Sequence, residues 1–163
     1  MQIIIVCESE PKERIDYRYI KGVIDYYYKS RDFKITPIYA KGKSRVTQME
    51  RQINDNTAKY KGETYTLICV DYDSSNNYLN DEIIEYCKRK NYFLVWMNRD
   101  VEDVFWGERV NEKEKVKKVT EFGKQKDNLI PKIMNLRNSN PTRCYPSSNL
   151  LIILDSILKR YKK

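Results

Sequence analysis

The sequence predicts an α/β domain built on a mostly parallel sheet of four strands, and two observations carry that prediction. Short apolar runs at residues 3–6, 65–70 and 92–97, with an alternating stretch at 33–39, have the length and the β-branched and aromatic content of strands. Between them, apolar residues recur at helical spacing among charged ones. Strand and helix alternating without interruption is the pattern of parallel strands joined by helical crossovers. At 163 residues the chain is expected to form one domain with one core.

Each element has its own justification. Residues 3–6 form a continuous apolar run, the pattern of a strand covered on both faces. Over 13–28, Ile15, Tyr19, Val23, Ile24 and Tyr27 trace one helical stripe. The stretch 33–39 alternates and contains Pro37, which predicts an edge strand. Val46, Met49, Ile53 and Tyr60 predict a second amphipathic helix, entered through Gly42 and Ser44. A strand over 65–70, a helix over 77–90 and a strand over 92–97 complete the core, residues 1–108.

Beyond it, 109–163 reads as a C-terminal extension. A short helix is expected from Val101 to Trp106, still within the core, and a charged helical stretch over 111–119. Residues 121–145, with two prolines and many polar groups, read as a long, partly ordered excursion. A serine cap followed by Leu150, Leu151, Leu154, Ile157, Leu158 and Tyr161 predicts a closing helix over 147–161.

Composition narrows the chemistry. Histidine is absent, which removes imidazole bases and Ser-His-Asp or Cys-His nucleophile systems. The four cysteines form no C-x-x-C pair; Cys7, Cys69 and Cys87 fall on predicted strands or a helix and Cys144 in a loop, so reduced thiols are expected. No apolar run is long enough to span a bilayer and no leader pattern precedes Ile3, so a cytoplasmic protein without membrane contact is expected. The formal charge of +8 is compatible with a polyanionic partner or with a lysine-rich solubilising surface.

Two apolar strands end in acids: Glu8 and Glu10 follow the first, Asp71 and Asp73 the third. Ligands of open parallel sheets bind outside the carboxyl ends of the strands. Carboxylates gathered there repel one another and resist desolvation, and a hydrated Mg²⁺ ion resolves both costs. Residues two apart on a strand point the same way, so Asp71 and Asp73 are expected to face one ion together. Glu10, Glu13 and Asp16 read equally well as the acidic first turn of a helix, and Asp73 with SSNN as a turn and helix cap.

IVCESEPKE, then CVDYD, then MNRDVEDVFW resembles the TOPRIM domain, and within it the small RloB-like and overcoming-lysogenisation-defect type proteins of bacterial and phage defence. The resemblance covers about the first two thirds of the chain and implies a three-layer, Rossmann-like fold. It also implies a Mg²⁺-dependent (Mn²⁺ being an alternative) nuclease-type activity on DNA or RNA. Glu8 matches the first-strand glutamate, Asp71 and Asp73 the Asp-x-Asp, and Glu102 the later glutamate. Glu8, Asp71 and Asp73 would hold metal, and Glu102 would join them as a catalytic residue. Ser9 departs from the family's glycine, and Trp106 stands four residues beyond Glu102 rather than two. A lysine often assists in related nucleases, and Lys115, Lys118, Lys124 and Lys126 are all candidates. Lys12, Lys41, Lys43 and Arg45 are expected on the nucleic-acid rim, or else in a solvated loop.

Two other readings remain. One is a non-catalytic, TOPRIM-like interaction or nucleic-acid-binding subunit beside an ATPase, for which exposed tyrosines on the first helix would speak. The other is a receiver or flavodoxin-like domain, against which the Asp-x-Asp and the lack of a lysine-ended fifth strand argue.

Overall fold

All six residues of β1 (Gln2–Cys7) are buried, because helices cover both faces of the strand and leave no solvent side for polar alternation. The computed structural model describes residues 1–133, 135–140 and 145–163. Its sheet is four-stranded and all-parallel in the order β2-β1-β3-β4, with β2 Lys34–Tyr39, β3 Thr64–Tyr72 and β4 Phe93–Asn98. Helices flank it on both faces, giving a Rossmann-like three-layer α/β fold. β2 is the edge strand, and it carries Pro37 opposite Ile5.

Alternate residues of each inner strand feed two cores. Ile3, Ile5, Cys7, Leu67 and Cys69 face α1 (Ile15–Tyr27), α4 (Val101–Trp106), α5 (Lys115–Leu129) and α6 (Leu150–Leu158). Ile4, Val6, Ile68 and Val70 face α2 (Glu50–Ala58) and α3 (Asn77–Lys90). Cys7, Cys69 and Cys87 are buried free thiols. Cys144 lies outside the described residues. Among the described residues no helix is long and apolar enough to cross a membrane.

The C-terminal third departs from expectation in two places. The excursion expected to begin at residue 121 is helical as far as Leu129, and a 3₁₀ turn, Ile130–Lys132, follows. Only Val119 and Phe122 of α5 are buried, so its apolar stripe is nearly invisible among lysines. Packing supplies what periodicity lacks: Phe122 lies 4.8 Å from the Tyr19 ring and 5.3 Å from that of Phe105. The closing helix starts at Leu150, not at residue 147. The preceding residues are engaged in covering the free edge of β4. The Asn98 amide donates to the Ser147 carbonyl at 2.9 Å, and the Asn149 side chain accepts from the Trp96 amide and donates to the Leu94 carbonyl.

Tyr19 and Tyr28 are fully buried, and Tyr17, Tyr26 and Tyr27 pack partly buried against the same core. The tyrosines at the start of the chain therefore serve packing, which removes the argument for an interface drawn from them.

α1 and α5 meet where Gly22 leaves room for Phe122: a Cβ on Gly22 would stand 2.6 Å from the ring's Cε1. Gly22→Ala is expected to cost about 1–3 kcal/mol by overpacking, despite alanine's better helix propensity. Denaturant unfolding measures it; a variant as stable as the parent would show that the helices separate freely here.

Candidate functional site

The strand order reverses between β1 and β3, since the chain leaves β1 for β2 on one side and returns to β3 on the other. That is the switch point at which open α/β sheets leave a crevice. Cys7 pairs in register with Cys69, so the residues just past β1 meet the last residues of β3. The Asp71 amide donates to Glu8 Oε1 at 2.8 Å, which ties the two strand ends together through a carboxylate. On the other flank the Gly42 amide donates to the Glu8 carbonyl at 2.8 Å, and Gly42 has φ +121°, a conformation that favours glycine.

Glu8, Asp71, Glu102 and Asp16 line one cavity of about 310 Å³, with Lys41 and Lys115 on its walls. Asp16 enters from α1, and its Oδ2 accepts from the Ser9 amide at 2.9 Å. Glu102 comes from α4, is 1% exposed, and neither of its carboxylate oxygens accepts a hydrogen bond. The charge nearest to it is the Lys115 ammonium, 3.5 Å from Oε2.

Burial pushes Glu8 up to about 7, aided by Asp16, although the Asp71 amide and the ammonium groups of Lys43 and Lys115 pull the other way. Burial likewise pushes Glu102 up to about 7, with Lys115 opposing. Asp71 is raised well above its ordinary value by burial and then by the charges of Glu8 and Asp16, and burial also raises Asp16. Near neutrality this cavity therefore takes up either protons or a cation.

Glu8 and Asp71 are also part of the wall of a wider cleft, of about 890 Å³, which extends past Asp73, Arg99, Asp100 and Arg109 to Tyr145. Lys43 stands in this cleft rather than on a solvated loop. Its ammonium donates to the Asp71 carbonyl at 2.5 Å and to Asn80 Oδ1 at 2.6 Å, and lies 5.5 Å from the centre of the Trp96 ring. Arg99 stacks on Tyr145 with its guanidinium 4.6 Å from the ring centre. Lys12, Lys41 and Arg45 are exposed in the segments that follow β1 and β2, and of the three Lys41 lines the acidic cavity.

Asp73 departs from the expected pairing with Asp71. β3 ends at Tyr72, so Asp73 lies beyond the strand and the two-residue alternation no longer aligns it. Its Oδ1 accepts from the amide and the hydroxyl of Ser75, and these bonds hold its carboxyl below the usual range. It sits on the rim of the wide cleft and makes the turn that leads into α3.

Of the four candidate lysines, Lys115 alone lines the acidic cavity. Lys118 lies 4.3 Å from the centre of the Trp106 ring and pairs with Glu108, Lys126 pairs with Asp25, and Lys124 is exposed. Sequence reasoning missed Asp16, Arg99 and Arg109 as site residues. Asp16 did leave a signal: Tyr19 and Ile20, three and four residues on, are core residues, so the acid shares their buried stripe.

Among the described residues no set of three carboxylates or thiols stands close enough to grip one ion. Mg²⁺ does not require such a set, because it keeps several waters and binds through one or two carboxylates plus phosphate oxygens. The Glu8–Asp71 pair, with the two unbonded oxygens of Glu102 in the same cavity, fits that mode. No family model matches the chain, and no relative is found among the curated proteins.

Proposed function

We propose that this chain is a Mg²⁺-dependent (Mn²⁺ being an alternative) phosphodiester-cleaving protein of TOPRIM type acting on DNA or RNA. The observation that carries the reading is the junction of Glu8 and Asp71 at the switch point, in a cavity that also takes in Glu102 and Asp16. Glu8 and Asp71 would hold the ion, which when bound supplies charge stabilisation at a phosphoryl oxygen and a more acidic water.

The chain's own residues account for the rest. Glu102, raised to about 7, is suited to take up or release a proton near neutral pH. Arg99 and Arg109 line the wide cleft beside Asp100 and Asp103, with Arg99 3.7 Å from Asp103 Oδ2, and from there they can neutralise and orient a phosphate backbone. Lys43, anchored to the end of β3, places a fixed positive charge beside the carboxylates. The exposed Lys12, Lys41 and Arg45 would extend that attraction along the rim.

The test is cleavage of single-stranded DNA, duplex DNA and RNA with Mg²⁺, with Mn²⁺ and with EDTA. Products that need the ion support the reading. Products formed equally in EDTA, or none on any of the three polymers, count against it; binding without cleavage would turn the reading toward a non-catalytic subunit.

Asp73→Asn separates the two acids of the Asp-x-Asp. Its expected loss of cleavage is smaller than that of Asp71→Asn by about tenfold or more, since its carboxylate is committed to Ser75. Equal losses would return Asp73 to the ion.

A further inference from the structure

We propose that Lys115 is a built-in counter-cation of the carboxylate cavity, which a divalent ion must displace to enter and a monovalent ion does not. The inference rests on reading that cavity as a cation site.

Lys115 is the first residue of α5. Its ammonium stands between two carboxylates of opposite environment. Glu102 Oε2, on a side chain 1% exposed, is 3.5 Å away, and Glu112 Oε2, on a side chain 86% exposed, is 3.3 Å away. Both oxygens of Glu102 are buried and accept no hydrogen bond. A carboxylate so placed needs a proton or a positive charge, and among the described residues Lys115 is the cation that pairs with it. The 3.5 Å separation exceeds that of a well-made charged hydrogen bond, so the pairing is electrostatic and loose.

The other cation beside the acids is held differently. Lys43 makes two short hydrogen bonds, to the Asp71 carbonyl and to Asn80, and stays where it is. Lys115 already has a second partner: Glu112, in the 3₁₀ turn just before α5, lies 3.3 Å away on the solvent side and keeps hold of the ammonium when it leaves Glu102. A divalent ion brings two charges where the ammonium supplied one, and it repels that ammonium outward. Na⁺ or K⁺ brings no more charge than Lys115 already provides. The lysine thereby sets a threshold that favours divalent ions.

The experiment is Mn²⁺ titration of the whole chain, read by calorimetry and by the electron paramagnetic resonance of free Mn²⁺, with thermal melts in EDTA. Three proteins are compared: wild type, Lys115→Met and Glu112→Gln. Lys115→Met is expected to bind Mn²⁺ about tenfold more tightly and to melt lower than wild type without the ion. In about 100 mM KCl its melting point is expected to rise more than that of wild type. Glu112→Gln, a surface change that leaves folding intact, is expected to bind Mn²⁺ about threefold more weakly. Mn²⁺ binding by wild type with equal or weaker binding by Lys115→Met overturns the competition while leaving the cation site standing. Unchanged affinity in Glu112→Gln overturns the outward swing. No Mn²⁺ binding by wild type or Lys115→Met overturns both this inference and the reading it rests on.

Discussion

Asp71→Asn is expected to lose ion-dependent cleavage by about 10²- to 10⁴-fold, because a charge-stabilising ion contributes several kcal/mol and each 1.36 kcal/mol is a factor of ten. The asparagine keeps the shape and the backbone amide that Glu8 accepts from, so the junction of β1 and β3 survives. Stability is expected to move the other way. Asp71 is buried among Glu8 and Asp16, and removing its charge relieves a cost that the ion-free protein bears. Loss of activity together with a higher melting point in EDTA separates a functional carboxylate from a structural one. A variant that loses both activity and stability would assign Asp71 to the framework of the fold.

The second large effect is a fall in the stability of the ion-free protein as pH rises from about 4.5 to about 7. Glu8 and Glu102 each move from an ordinary value of 4.5 to about 7 in the folded chain. Between those values the folded state holds protons that the unfolded state has released, so raising the pH favours unfolding. The effect is complete above about 7, where both states are ionised. A separation of this size corresponds to about 3 kcal/mol for one group, and two groups sharing a cavity sum to less than twice that. For a chain of this length the melting point is expected to drop by about 10–20 °C across the window. Mg²⁺ is expected to flatten the slope, because it binds the ionised acids. Melts from pH 4.5 to 8, with Mg²⁺ and with EDTA, measure both. A melting point that rises with pH in EDTA would mean that the acids are solvated.

Glu8 and Asp71 were legible as a pair because each follows or ends a run too apolar to face water, and parallel strands side by side must deliver their ends together. β2 was legible as an edge strand from Pro37 alone. What periodicity cannot show is where a strand stops. β3 includes Asp71 and Tyr72 and then ends, so one residue decides that Asp73 turns toward Ser75. α5 was hidden for a different reason: two buried residues among lysines make no readable stripe, and the partners of Phe122 lie about a hundred residues away in Tyr19 and close by in Phe105. Asp16 was misread because an acid in a first helical turn already has a local explanation, and its pairing with the Ser9 amide is a matter of three dimensions. The serine cap before α6 was legible, since the Ser148 hydroxyl accepts from the Leu150 amide, but the start was placed too early because an asparagine completing a sheet edge leaves no periodic signal.

The measurement that bears most directly on the central claim is Mn²⁺ binding to wild type and to the Glu8→Gln, Asp71→Asn double variant, followed by the resonance of free Mn²⁺ at about pH 8, above the value of about 7 to which Glu8 and Glu102 are raised. One saturable site in wild type that is lost from a folded double variant is the predicted result. A site that persists unchanged in the double variant, or no site in wild type, would contradict the account.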